Sequence, residues 1–505
     1  MRVDMKLTLY PSWRDGAVVQ RDVDLRLRGT AAPGDSIHGV FANREFMAAA
    51  DSAGEWTASL GCHGAGGPYD LRVADDHGTQ VILRNLLVGE VWICSGQSNM
   101  EMPLSRASGG AADAARAADD GLRLMIVPPR VADEPAKSCE ARWQASGPES
   151  AAPFSAMGYY FGRHLREALG VPIGLIQAAV GNTPGEAWTP RPDLDADADF
   201  TPIFERWRRS LAVYPDAAGT YAAAFAEWDG ATDLAEREGR PIPGAHPKLV
   251  GPGHPWTPAG LFNGMIAPVT GFPIRGVVWY QGAGAPERAT QYRKLFRVLI
   301  RAWRRWWGQG DFPFLFGQEA NFGPRRDLPC EHSWAELREA QAMALAEPNT
   351  GMAVAIDVGD ATDIHPVRKK PLGDRLALIA RHKVYGHAVA WSGPTLRAVR
   401  IDGDRVRLAF DHCEGGLTTS DGDAPRGFAV SGGAQSFAAG NRGFTWAEAE
   451  ISGDEVVAWS GDVAHPIAVR YAWAQNPACN LVNGAGLPAS PFRTDDWPGV
   501  TESNL

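Results

Sequence analysis

Over the first 87 residues apolar and polar positions alternate in short runs, as in Val23-Asp24-Leu25-Arg26-Leu27 and Tyr69-Asp70-Leu71-Arg72-Val73, with Gly, Pro and Asp between them. A period of two sends successive side chains to opposite faces, so this stretch predicts a small β-sandwich. From Leu87 the pattern changes. Five runs, Val88–Ser95, Pro172–Val180, Ile274–Gln281, Phe312–Gln318 and Met352–Asp357, are nearly continuous in apolar residues and alternate with helical segments. Strands buried on two faces have no polar side, so these runs predict an α/β unit built on a five-stranded parallel sheet covered by helices. Past Trp391 the period of two returns, in Val406–Phe410 and Ile467–Tyr471, and predicts a second β-rich unit. The expected division is 1–87, 88–390 and 391–505, consistent with roughly 150 residues per structural unit.

Two segments between the strands carry further pattern. Gln291–Trp307 places Leu295, Val298, Leu299, Ala302 and Trp306 on one helical face, with Arg293, Arg297, Arg301, Arg304 and Arg305 around the rest. That distribution reads as a solvated arginine face whose aliphatic stems cover the core. Residues from about 196 to 260 form an insertion, helical around Phe204, Trp207 and Leu211 and then rich in Pro and Gly from Pro241 to Pro258. Such excursions serve as lids or subsite walls.

Composition narrows the partners. The 57 glycines and 37 prolines fit a loop-rich globular enzyme, and a net charge of −10 with no concentrated basic stretch argues against nucleic acid and anionic membranes. A neutral sugar is indifferent to that charge. No 18-residue apolar run occurs, and Met1–Lys6 lacks the apolar core of a secretion signal. The chain as it stands therefore reads as soluble and cytoplasmic, or as periplasmic or secreted if a signal has been trimmed. Cys62, Cys94, Cys139, Cys330, Cys413 and Cys479 include no Cys-x-x-Cys pair, so neither a zinc ribbon nor a disulfide framework is expected, and most read as buried thiols.

The candidate chemistry follows the first parallel strand, which breaks into Gly96-Gln97-Ser98-Asn99-Met100. Glycine permits a sharp turn at the C-terminal end of a parallel strand, where open α/β sheets bind ligands, and the turn leaves the Ser98 hydroxyl exposed. A plain helix N-cap is the other reading of that serine. After the fifth strand, Asp363 and His365 stand two residues apart before a helix that begins near Pro371 and buries Leu372, Leu376 and Ile379. A carboxylate so placed can hold one imidazole nitrogen while the other faces a serine. Asp-x-His is also half of a metal site, but no further ligand cluster accompanies it, so no metal is expected.

Taken together, Gly96–Met100, Gly181–Trp188, Gly276–Gly282 and Asp363–Pro366 resemble the sialate O-acetylesterase group of SGNH-type carbohydrate esterases. Gly66–Tyr69, Tyr471–Ala474 and Gly486–Phe492 extend the resemblance over nearly the whole chain. It implies an SGNH-type three-layer sandwich flanked by the two β-rich units, and a serine esterase that cleaves acetyl esters on sugars through an acetyl-enzyme without a cofactor. Ser98 would be the nucleophile, His365 the general base and then acid, and Asp363 its orienter, with the amides of Ser98 and Gly181 as oxyanion donors. Related esterases deacetylate sialic acids or hemicelluloses such as xylan and xyloglucan, and Trp207, Tyr214, Tyr221, Trp228 and Trp256 of the insertion read either as sugar platforms or as packing. The sequence departs from the family where Glu-Ser-Asn usually follows the glycine: here it reads Ala283-Gly284-Ala285, and alanine cannot donate. Asn182, standing where a second glycine is common, and Gln281 are the candidate replacement donors, Asn182 being equally readable as a left-handed turn residue. If neither serves, the chain would be a sugar-binding homologue with impaired catalysis.

Overall fold

A computed structural model describes residues 6–10, 12–237, 249–284, 286–433 and 443–504. Ala285, the 241–248 part of the insertion and residues 1–5 lie outside the described residues.

The main path of a central 11-stranded sheet consists, in chain order, of β1 (Gln80–Gly96), β2 (Asp119–Ile126), β3 (Trp143–Ser146), β4 (Ile173–Ala179), β5 (Gly276–Tyr280), β6 (Phe314–Gly317) and β7 (Thr350–Ala353). Their spatial order is β3-β2-β4-β1-β5-β6-β7. Every neighbouring pair is parallel except β3 with β2, and the register sets Ile93 of β1 beside Ile176 of β4 on one side and Val277 of β5 on the other. The five apolar runs all contribute strands, but the expected sheet of five is corrected to six parallel strands by β2. Leu122, Leu124 and Met125 are buried as a doubly covered strand requires. Asp119, Asp120, Gly121 and Arg123 break the apolar run, and Arg123 satisfies itself by donating to the Asp120 carbonyl at 2.8 Å and to Asn85 Oδ1 at 3.3 Å.

Period-two alternation divides the sheet between two cores. Trp92, Cys94 and Tyr280 pack with Tyr160, Phe161 and Leu165 of α1 (Ala156–Leu169) and with Leu376 and Ile379 of a helix near the end of the sheet, Lys370–Lys383. On the opposite face Ile93, Ile176, Val277 and Trp279 meet the helices Ala289–Trp307 and Ser333–Met343 through Phe296, Ile300, Trp303, Leu337 and Ala340. The insertion contributes α2 (Thr201–Arg237), and the later three helices are α3 (Ala289–Trp307), α4 (Ser333–Met343) and α5 (Lys370–Lys383).

The expectation for α3 is corrected in two respects. Trp303 and Trp307 are its buried tryptophans, while Trp306 is 38% exposed. Its arginines are not a merely solvated face: Arg297 and Arg301 hold Glu347, Arg293 holds Glu339, Arg305 holds Asp193, and buried Arg304 donates to the carbonyls of Phe312 and Pro348. Apart from Phe312 just beyond the helix, their partners come from segments distant in sequence, so spacing along α3 alone carries no sign of them.

β1 is longer than the run that predicted it. Its first half pairs antiparallel with Gly66–Asp75, and Val18–Gln20 lies parallel to it across Leu87–Gly89, so position 87 falls within one continuous strand. Beside that join the fully buried Glu90 carboxylate receives Arg21 Nε at 2.5 Å and Arg275 Nε at 2.7 Å. The C-terminal region folds as antiparallel strands, among them Thr395–Asp402, Arg405–Asp411, Glu455–Trp459 and Ala468–Tyr471. It is tied to the centre by Arg338 of α4, whose buried guanidinium donates to the carbonyls of Glu319, Ala320, Ala474 and Gln475 at 2.7 to 2.9 Å.

Among the described residues, no helix is long and apolar enough to cross a membrane. All six cysteines are free, but only Cys94 and Cys139 are buried, which corrects the expectation for most of them; Cys62 is exposed at the end of its strand.

Candidate active site

The site is assembled where β1 and β5 end. Gly96 has φ +139°, and a Cβ there would lie 2.1 Å from the Tyr280 carbonyl oxygen, so only glycine fits. The chain then turns into the short helix Ser98–Glu101, anchored by the Gln97 N–H on the same carbonyl at 3.0 Å. Ser98 Oγ stands 2.9 Å from His365 Nε2.

His365 comes from the loop after β7. Asp360 Oδ1 accepts the N–H groups of Thr362 and Asp363 at 2.7 and 3.1 Å, tightening a turn that brings Asp363 forward. Asp363 Oδ1 then accepts the His365 backbone N–H at 2.8 Å and lies 3.4 Å from His365 Nδ1. Burial lowers the His365 pKa from its ordinary value; Asp363 opposes that shift, while Lys369 and Arg106 add to it. Ser98, Glu101, Met102, Arg106, Gln177 and His365 line an open cleft of about 700 Å³.

Behind this pair stands a polar layer that the sequence did not mark. Asn99 donates Nδ2 to the Ile364 carbonyl at 3.1 Å, and its Oδ1 accepts from Lys369 Nζ, joining the serine turn to the histidine loop. Lys369 is 3% exposed, and burial lowers its pKa to about 7 against the opposing charges of Glu319 and Asp363. Buried Glu319, its carboxyl pushed up by burial, accepts the Ala283 N–H at 2.8 Å and so holds the altered loop. Asn321 Oδ1 receives the Gly359 N–H at 2.8 Å at the base of the histidine loop.

The expected oxyanion donors are disposed differently from one another. Gly181 is next to Ser98, since a Cβ on Gly181 would lie 3.3 Å from Ser98 Cβ, and its N–H donates to Glu101 Oε2 at 2.6 Å. Asn182 is exposed with φ +56°, the left-handed region of a turn residue, and its carbonyl accepts from Trp256 Nε1 at 2.5 Å. Gln281 is buried with its Nε2 donating to the Thr183 carbonyl at 3.2 Å. The structure thus brings Ser98, Asp363, His365 and Gly181 together, while the Gln281 amide faces the neighbouring loop. Glu101 was readable in principle, three residues after Ser98 on the same helical turn. Lys369 carried no signal, because its burial arises only when α5 packs behind the site.

A serine hydroxyl, an imidazole and a carboxylate at the C-terminal edge of a parallel sheet are the equipment for acyl transfer from an ester. No family model matches the sequence. Mouse sialate O-acetylesterase is 26% identical over 479 residues, covering 86% of this chain and 83% of its own, and the human protein is 26% identical over 487 residues, covering 88% and 83%. The crystal structure of a carbohydrate acetylesterase from Xanthomonas citri superposes with a TM-score of 0.81 at 37% identity, covering 97% of this chain and 100% of that one. The chain belongs to the carbohydrate acetylesterases.

Proposed function

We propose that the protein is an SGNH-type serine esterase that removes O-acetyl groups from carbohydrate. The observation that carries this reading is the 2.9 Å contact between Ser98 Oγ and His365 Nε2. In the proposed reaction His365 takes the Ser98 proton as Oγ attacks the acetyl carbonyl, then gives it to the departing sugar oxygen. Water hydrolyses the acetyl-enzyme by the same route in reverse. Asp363 stabilises the imidazolium, and the amides of Ser98 and Gly181 receive the oxyanion. Acetate release from acetylated xylan, xyloglucan and O-acetyl sialic acid, measured side by side, tests the reading and selects the sugar. Absence of release from all three, together with no hydrolysis of p-nitrophenyl acetate, would favour a sugar-binding homologue.

The pH profile has a definite direction. Neutral His365 is the working form, and burial with the cations Lys369 and Arg106 lowers its pKa. The acid limb of kcat/KM is therefore expected below the ordinary imidazole value of about 6.5. Lys369→Met removes one cation and should move that limb upward; an unmoved limb would contradict the electrostatic link.

Asn182 is proposed as a turn residue, supported by its φ of +56°. Glycine adopts that conformation without cost, so Asn182→Gly should keep kcat within a factor of about three. A fall of about 10²-fold would make its side chain the third oxyanion donor instead.

The insertion is proposed to shape a sugar subsite. Trp207, Arg206 and Trp256 face Glu186, Arg288 and Gly284 around a cavity of about 380 Å³ beside the Gly181 and Ala283 loops. Trp207→Ala should raise KM for an acetylated oligosaccharide about tenfold, the order of a lost ring contact, while sparing p-nitrophenyl acetate. Equal losses on both substrates would assign the segment to scaffold.

A further inference from the structure

The amide assigned to the oxyanion already has an occupant. Glu101 Oε2 accepts the Gly181 N–H at 2.6 Å, a length typical of a charge-assisted hydrogen bond. Among the described residues Glu101 makes no ion pair, although Arg106 and His365 line the same cleft. A half-buried carboxylate without a counter-ion is costly to hold, and burial pushes its carboxyl up from the ordinary range. One N–H cannot serve a carboxylate and a developing oxyanion at once, and two negative charges at that spacing repel.

We propose that Glu101 sets the rate of the reaction by occupying the Gly181 amide in the resting enzyme, so that the acetyl carbonyl reaches a complete oxyanion hole only after the carboxylate turns aside. The proposal rests on the serine-esterase reading. It explains how an acidic side chain can stand at an anion-stabilising amide: the same N–H that would receive the reacting oxygen is satisfied by the protein until substrate arrives. Glu101 shares the helical turn of Ser98, so its withdrawal requires only side-chain rotation into the open cleft.

The experiment compares wild type, Glu101→Ala and Glu101→Gln with p-nitrophenyl acetate and with phenylboronic acid. In the boronate adduct Ser98 Oγ bonds to boron and its proton passes to His365, leaving a tetrahedral anion whose oxygen seeks the same amide. Removing the competing charge should raise kcat/KM about tenfold through kcat and tighten boronate binding by a similar factor, with the isosteric glutamine changing in the same direction. If both variants lower kcat/KM and neither tightens the boronate, Glu101 positions the Gly181 loop and the proposal is overturned. Glutamine keeps the volume and one acceptor, so a folding defect in the alanine variant does not obscure the result. Ser98→Ala separates the premise: if it binds the boronate as well as wild type, the serine reading fails irrespective of Glu101.

Discussion

Ser98→Ala is expected to lower kcat for p-nitrophenyl acetate by about 10⁴–10⁶-fold, and His365→Ala by a comparable factor. The reason is the geometry of one hydrogen bond: Ser98 Oγ has His365 Nε2 at 2.9 Å, and each group is inert in the proposed attack without the other. The double variant should therefore be no slower than either single one, since groups that act as a unit are lost together. Asp363→Asn should cost less, about 10²-fold. Its carboxylate is 57% exposed and lies 3.4 Å from Nδ1, while its shorter contact, 2.8 Å, goes to the His365 backbone N–H. Solvent screens such a charge, although the loop geometry still depends on it. Equal rates for wild type and Ser98→Ala, measured by initial-rate kinetics, would sink the esterase mechanism.

The largest effect on stability is expected at Arg338. Its guanidinium is fully buried and spans the Glu319–Ala320 carbonyls on one side and the Ala474–Gln475 carbonyls on the other. Burial lowers its pKa to about 10, so it remains charged at neutral pH and the carbonyl dipoles stand in for a counter-ion. Arg338→Met fills the volume but strands the Glu319 and Ala474 oxygens in a dry interior, a loss of about 3–5 kcal/mol. Arg338→Lys should fall between, because an ammonium reaches fewer of the four acceptors. Denaturant titration followed by tryptophan fluorescence measures the difference, and a change under about 1 kcal/mol would show that the clamp is dispensable. Activity should fall with stability, since the same segment carries Asn321, which holds Gly359 at the base of the histidine loop.

What could be read in advance followed from local physics. The five apolar runs are strands because side chains buried on two faces must be apolar throughout, and Gly96 and the Asp363-x-His365 spacing are constraints of one turn and one loop. What could not be read depends on partners far away in the chain. β2 hides behind Arg123, whose charge is satisfied only by the folded surroundings. The arginines of α3 look solvated until Glu339 and Glu347 arrive from other segments. Lys369 resembles a surface lysine beside Lys370, yet α5 delivers it into the interior behind Ser98, where Asn99 receives it.

The continuity of β1 has a consequence for how this enzyme can be cut or recombined. Seventeen residues run without a break from the N-terminal sheet to within two residues of Ser98, and the ion pairs on Glu90 fasten the join from both sides. A fragment starting at residue 88 would lose the antiparallel neighbour Gly66–Asp75, the parallel neighbour Val18–Gln20 and Arg21 together. It would leave Val88 and Gly89 without these neighbours, and a buried carboxylate with half its compensation, at the root of the strand that leads to Ser98. The N-terminal sheet is accordingly not an exchangeable cassette: a graft of the catalytic centre onto another scaffold has to carry it along, or begin by rebuilding the upstream edge of that one strand.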